Sequence, residues 1–267
     1  LFAFLAALYA IGISVYGEKI ARSEAMVCSG RNAVYLTFIL MTIAVGSLQV
    51  ALMTEQYQIA YVWSVSSPDM PTFFRFTALW GSQAGSLLFW SFLMSAFTAG
   101  ATFLNWKSQR RLMPYAIAYM MAAVAFFVGL SLFIENPFER WWLLPSGEIA
   151  ASAFIPAGAV APGARQLAES ANGLNPLLRH FGMAIPPPML YLGFVGFIIP
   201  FAFAMSALAS GDLSSNWIKV SRRWALIAWL FLSLGLLLGG RWAYGVLGWG
   251  GCWGWDPVEN AGCLPWL

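Results

Sequence analysis

Long uncharged runs separated by short polar connections organise the chain. The runs, roughly 1–16, 33–53, 80–104, 114–134, 187–208 and 224–247, contain no Asp, Glu, Lys or Arg except Arg241 near the end of the sixth. A bilayer core about 30 Å thick is crossed by about 20 helical residues rising 1.5 Å each. Each run is therefore read as one spanning helix, with a seventh starting near Ala261. Backbone groups immersed in lipid must find partners within their own segment, so these runs are helices and not open strands. The first run has no basic region before it and no polar domain after it, which predicts a truncated first membrane helix and not a secretory leader. The predicted fold is all-α: a polytopic integral membrane helical bundle of about six transmembrane helices plus the start of a seventh. Residues 1–267 are expected to form a single membrane domain, a fragment of a longer protein.

The charged residues orient this bundle. Connections 17–32, 105–113 and 209–223 hold nine basic residues against three acidic ones, Glu18, Glu24 and Asp212. Short loops rich in Lys and Arg stay on the cytoplasmic side. The N-terminus and the stretches 54–79, 135–186 and 241–260 are then expected outside, in the periplasm or its organellar equivalent. The stretch 135–186 is too long for a simple connector and is expected to be an external subdomain or lid. Composition agrees with a lipid-embedded chain: 60% of residues are apolar and only 9% charged, against roughly 25% charged in soluble domains. Mean hydropathy is +0.70. A formal charge of +3 excludes a disordered polyelectrolyte and gives no reason to expect nucleic acid as a partner.

One region departs from this apolar uniformity. Residues 241–267, RWAYGVLGWGGCWGWDPVENAGCLPWL, carry five of the fourteen tryptophans: Trp242, Trp249, Trp253, Trp255 and Trp266. Interleaved are Gly245, Gly248, Gly250, Gly251 and Gly254, residues that tolerate positive φ and close backbone approach. Asp256 can cap a helix, with Pro257 as its first residue and Glu259 as the reciprocal member of a capping box. Two readings of 241–260 stand side by side. The tryptophans form an interfacial aromatic belt, or they line a shelf for a flat apolar macrocycle, with indole N–H groups meeting its polar substituents. Haem fits the second description.

The string from Gly248 to Ala261, GWGGCWGWDPVENA, resembles the WWD motif of the CcmF/CcsA haem-handling proteins of cytochrome c maturation. The likeness extends to Asn175-Pro176-Leu177-Leu178, to Pro187-Pro188-Met189-Leu190-Tyr191-Leu192-Gly193 and to Trp80-Gly81-Ser82-Gln83-Ala84-Gly85-Ser86-Leu87-Leu88. In that order these segments are similar to the N-terminal part of the CcmF type. The resemblance implies a membrane cytochrome c haem lyase component that takes b-type haem from a haem chaperone. It would present the haem, with other maturation subunits, to the CxxCH thiols of apocytochrome c. It also implies an inner bacterial membrane, or the inner mitochondrial membrane if organellar, with the WWD loop facing the periplasm or intermembrane space. The residues it assigns to haem are Trp249, Gly250, Gly251, Trp253, Trp255 and Asp256.

The chain departs from the family pattern in two places. A histidine that the family sets before its Pro-Pro-x-Leu-Tyr segment is Pro186 here, and a glutamate expected before Gly85 is Ala84. Further family histidines would lie beyond Leu267. The remaining candidate for an axial ligand to the haem iron is His180, the single histidine, which is read either as an exposed loop residue or as a displaced ligand. Arg241, Arg165 and Arg179 are candidates to fork onto propionates or to make structural pairs, and Arg241 is preferred because it precedes the loop. Trp80, Gly81, Gly85, Ser86 and Trp90 are expected to pack helices closely. Cys28, Cys252 and Cys263 form no CxxC or zinc spacing, and Cys252 and Cys263 are read as a disulfide or as two inert thiols. Other function classes stay open: a haem transporter or exporter, and a scaffold subunit that binds no haem itself.

Overall fold

The computed structural model describes residues 1–212, 214–247 and 251–267. Among them run α1 (Phe2–Lys19), α2 (Glu24–Met53), α3 (Ala60–Val65), α4 (Thr72–Thr77), α5 (Gln83–Asn105) and α6 (Met113–Phe133). There follow β1 (Arg140–Leu143), β2 (Ile149–Ser152), α7 (Ala164–Glu169), α8 (Pro186–Gly196), α9 (Ile198–Ser210), α10 (Asn216–Val246) and α11 (Pro257–Trp266). Among the described residues six stretches are long and apolar enough to cross a membrane: α1, α2, α5, α6, α10, and Phe181–Ser210, which carries α8 and α9. The protein is a polytopic helical membrane protein.

Element boundaries differ from the apolar runs in instructive ways. Helices α2 and α10 begin at Glu24 and Asn216, well ahead of residues 33 and 224. Charged side chains end the lipid-immersed stretch but not the hydrogen-bonded helix, and their long stems let the heads reach polar surroundings. The guanidinium of Arg31, inside α2, lies 4.7 Å from the Trp106 ring, and Arg110 pairs with Glu24. The fifth run is two helices divided at Phe197. Pro200 explains the division: it has no N–H to return to the carbonyl four residues earlier, and its ring crowds that carbonyl.

The chain folds as two compact units. The first comprises Leu1–Thr42, Trp90–Val128 and Phe181–Leu267, the second Ile43–Phe89 and Gly129–His180. In the second, strands β1 and β2 form an antiparallel hairpin pairing Arg140 with Ser152 and Leu143 with Ile149. The hairpin is tied to the connection after α2: Ala60 N–H donates to Glu139 at 2.8 Å and Trp141 N–H to Gln58 at 2.9 Å. Residues of 135–186 thus share a unit with 43–89 as far as His180 and pass to the first unit from Phe181. The motif segment 80–88 is closely packed here. A Cβ on Gly81 would lie 2.5 Å from Leu174, and one on Gly85 would lie 2.1 Å from the Tyr61 hydroxyl. That hydroxyl reaches the carbonyls of Ala78 at 2.8 Å and Leu79 at 3.0 Å, so the start of α5 is built around missing side chains. The close packing expected at Gly81 and Gly85 is present, against Leu174 and α3.

The first unit is held by a similar device between α8 and α10. A Cβ on Gly193 would stand 2.6 Å from Leu232 Cβ and 2.7 Å from its Cα. One on Gly196 would stand 2.7 Å from Ala228, and one on Gly235 would stand 2.7 Å from Leu190. The notch is reciprocal, each helix placing glycine opposite the other's larger residue, and it brings the backbones within van der Waals reach. Beside it Trp90 gathers Tyr191 (5.1 Å), Phe127 (5.6 Å) and Phe194 (5.9 Å) into an aromatic cluster.

Gly193→Ala is expected to lower stability by about 1–3 kcal/mol, because the added methyl meets backbone that cannot move aside. Gly46→Ala, where nothing lies within 4 Å of the new methyl, should be neutral or stabilising. Thermal unfolding of both variants in detergent measures the opposite signs.

Candidate functional site

The second half of α10, the described part of the loop after it and α11 together enclose one concavity of about 1000 Å³. Helix α10 supplies Leu236, Leu237, Leu238, Arg241 and Tyr244 to the wall, the loop supplies Cys252, Trp253 and Trp255, and α11 supplies Cys263 and Trp266. α11 returns beside α10: a Cβ on Gly262 would lie 3.2 Å from Leu236 and 3.6 Å from Phe194. The loop itself folds onto α10 at Gly240, where a Cβ would meet the Cys252 carbonyl at 2.9 Å.

Two tryptophan pairs stand at this wall. Trp253 and Trp255 meet edge to face, with centroids 5.7 Å apart and planes at 82°. Trp229 and Trp266 stack at 6.0 Å and 17°. The second pair is cross-bonded. Trp229 Nε1 donates to the Trp266 carbonyl at 3.1 Å, Trp266 Nε1 donates to Ser233 Oγ at 2.8 Å, and Ser233 Oγ donates to the Trp229 carbonyl at 2.8 Å.

The turn into α11 is strained and held. Trp255 has φ of +56°, and it is 70% exposed. A bulky residue in the left-handed region costs on the order of 1–3 kcal/mol and persists only when its surroundings impose it. Here Glu259 accepts the N–H groups on either side of Trp255, from Gly254 at 2.7 Å and Asp256 at 3.4 Å. Asn260 Nδ2 donates to the Trp255 carbonyl at 3.1 Å. Asp256 caps α11 by accepting the Glu259 N–H at 2.7 Å, which completes the expected capping box. The loop glycines are the residues that tolerate positive φ most readily. Among the described residues it falls on Trp255 and on none of Gly245, Gly251 and Gly254, because the carboxylate and amide clamp decide the turn.

The candidate residues are distributed as follows. Trp253, Trp255 and Arg241 come together at the wall. Gly251 and Asp256 belong to the same loop but are not among its lining residues, Asp256 being engaged as the cap. Gly248, Trp249 and Gly250 lie outside the described residues. His180 is exposed, belongs to the second unit and does not line the wall. Arg165 pairs with Glu169 at 2.8 Å and Arg179 donates to the Leu174 carbonyl at 2.9 Å, so both have structural employment. Cys252 and Cys263 are free thiols at the wall. Trp229, Ser233 and Trp266 are joined at the site through the antiparallel return of α11, and Tyr244 lines it one turn beyond Arg241 on α10. Glu259 and Asn260 act on it through Trp255.

Chemically, this is a broad apolar recess with two unspent polar groups. Trp253 Nε1 is buried with no hydrogen-bond partner among the described residues, a state costing about 1–3 kcal/mol unless a ligand relieves it. Arg241 is exposed and has no carboxylate partner among the described residues. A large flat apolar guest with acceptors on its rim meets both demands.

Residues 80–267 match a family model described as cytochrome C assembly protein. The cytochrome c-type biogenesis protein CcmF of Pseudomonas aeruginosa is 37% identical over 237 residues, 89% of this chain and 33% of that protein. CcmF of Escherichia coli is 38% identical over 261 residues, 97% of this chain and 37% of that protein. NrfE of Haemophilus influenzae, also described as a cytochrome c-type biogenesis protein, is 36% identical over 233 residues, 87% of this chain and 33% of that protein. The solved structure of a protein titled Cytochrome c Heme Lyase CcmF superposes with a TM-score of 0.77 at 28% identity, over 99% of this chain and 38% of that one. The chain thus spans about a third of the length of the curated relatives it matches.

Glu259→Ala is expected to lower stability by about 1 kcal/mol through loss of the reciprocal half of the capping box. Trp255→Gly, which releases the strained φ, should not lower it. Unfolding midpoints of the two variants in detergent provide the comparison.

Proposed function

This chain belongs to the cytochrome c assembly protein family, and from that premise we propose that it forms the haem-holding part of a cytochrome c haem lyase, with b-type haem as substrate. One observation carries the reading: Trp253 and Trp255 are not scattered along an interface but close one side of an apolar recess of about 1000 Å³. That volume stands at the upper end of small-molecule sites, about 300–1,000 Å³. The macrocycle packs on the indoles through their faces and edges. Arg241 receives one propionate as a guanidinium fork, and the Trp253 N–H meets another rim acceptor. Trp249 and Gly250 are assigned to the same loop by their place in the sequence.

The reaction this serves is addition of an apocytochrome thiol across a haem vinyl group. The thiol S–H bond and the vinyl π bond are lost, one C–S bond and one C–H bond form, and nothing leaves. The chain's own work is to fix the ring, to present its vinyl edge to incoming CxxCH thiols and to keep competing reactants away. Asp256 and Glu259 are occupied in capping α11 and need no acid–base part. His180 is the imidazole this sequence offers to haem iron, and it stands as a candidate donor separate from the recess. The partners are a haem chaperone, apocytochrome c and other maturation subunits. The membrane is the bacterial inner membrane, or the mitochondrial one in an organelle, with the loop on the face opposite the basic connections.

The Soret absorbance of purified protein tests the seat. Trp253→Ala combined with Trp255→Ala is expected to reduce co-purifying haem at least tenfold, about 1.4 kcal/mol; unchanged haem content removes the shelf. His180→Ala should shift the Soret band while haem content changes less than about twofold, and an unaltered spectrum removes His180 as a donor without touching the shelf.

A further inference from the structure

A second concavity, of about 460 Å³, is formed within the first unit where the end of α5 and the turn after it face the first turns of α10. It shares no lining residue with the tryptophan recess. Its lining divides by chemistry. Gln109, Asn216, Lys219 and Arg223 present amide and cationic heads, whereas Leu104 and Ile227, 66% and 42% exposed, offer apolar surface on spans that lie in lipid. Trp224, also in the lining, is pinned by Phe97 at a centroid distance of 5.7 Å. Tryptophan at such a boundary marks the level where hydrocarbon gives way to headgroups.

Lys219 and Arg223 are four residues apart on one helix, so both heads project from the same face. Like charges at that spacing repel, and an anion between them turns the repulsion into attraction. Among the described residues neither has a carboxylate partner. The acidic residue of the preceding turn, Asp212, is engaged: its carboxylate accepts the Ser214 N–H at 3.0 Å, and that bond holds its pKa below the ordinary value.

We propose that this pocket binds an anionic phospholipid, its phosphodiester between Lys219 and Arg223 and an acyl chain along Leu104 and Ile227. A basic pocket between spans at the headgroup level is the arrangement that retains such lipids. Inorganic phosphate offers the same oxygens but leaves the apolar half of the pocket unfilled. The inference is independent of the haem reading, since the two recesses share no lining residue.

The test uses the complete protein in neutral detergent, incubated with phosphatidylglycerol or phosphatidylcholine, with bound lipid counted by native mass spectrometry. Phosphatidylglycerol should be retained at least tenfold better than phosphatidylcholine, and K219Q combined with R223Q should lose about tenfold of that retention. K219R with R223K, which keeps both charges, should restore it, so that a folding defect is told apart from a lost site. R222Q, a charge removed from the same helix outside the lining, should change retention less than about twofold. Three results overturn the proposal: retention unchanged in the double Gln variant, an equal loss in R222Q, or displacement of the lipid by millimolar inorganic phosphate, which would mark a bare anion site.

Discussion

The approach of α8 to α10 is the constraint on which the rest of the first unit depends. Gly193 and Gly196 face Leu232 and Ala228, while Gly235 faces Leu190, and the missing side chains let two backbones touch along more than a turn. In lipid there is little hydrophobic gain from pressing helices together, so close packing of this kind supplies much of the attraction. It fixes the line of α10, and α10 presents the wall from Leu236 to Tyr244 on which the loop and α11 then settle. The recess is the space left when α10 is held by glycine on one side and roofed by tryptophan on the other.

The spans were legible because hydrocarbon imposes a length and forbids free charge. Their ends were not, because a helix continues past the last apolar residue wherever charged heads can extend away from the lipid, as Glu24 and Arg31 do in α2. The division at Phe197 was encoded by Pro200 but masked by the unbroken apolarity around it. The hairpin Arg140–Leu143 with Ile149–Ser152 carries no clear alternation of apolar and polar residues. Its first strand is bonded instead to the backbone of residues 58–60, about eighty positions earlier.

For the recess, the crowding of tryptophan and the capping pattern at Asp256 could be read directly, and Trp253, Trp255 and Arg241 do share a wall. Trp229 and Ser233 could not be read as partners of Trp266, for 37 and 33 residues separate them and only the return of α11 joins them. Glycine content showed where the backbone could turn left-handed, yet among the described residues of the loop the left-handed one is Trp255. Local propensity yielded to Glu259 and Asn260, whose hydrogen bonds outweigh it. Composition announces what a loop is made of; which residue bears its strain is settled by where the next helix puts its carboxylate and amide.

The cross-bonded pair Trp229 and Trp266 gives a single oxygen an outsized part. Ser233 Oγ takes the N–H of one indole while giving its own proton to the carbonyl of the other tryptophan. Where water is scarce, such a latch has no substitute partner waiting. The registry of α11 against α10, and with it the depth of the recess, is therefore set by a hydroxyl that no count of aromatic residues would single out.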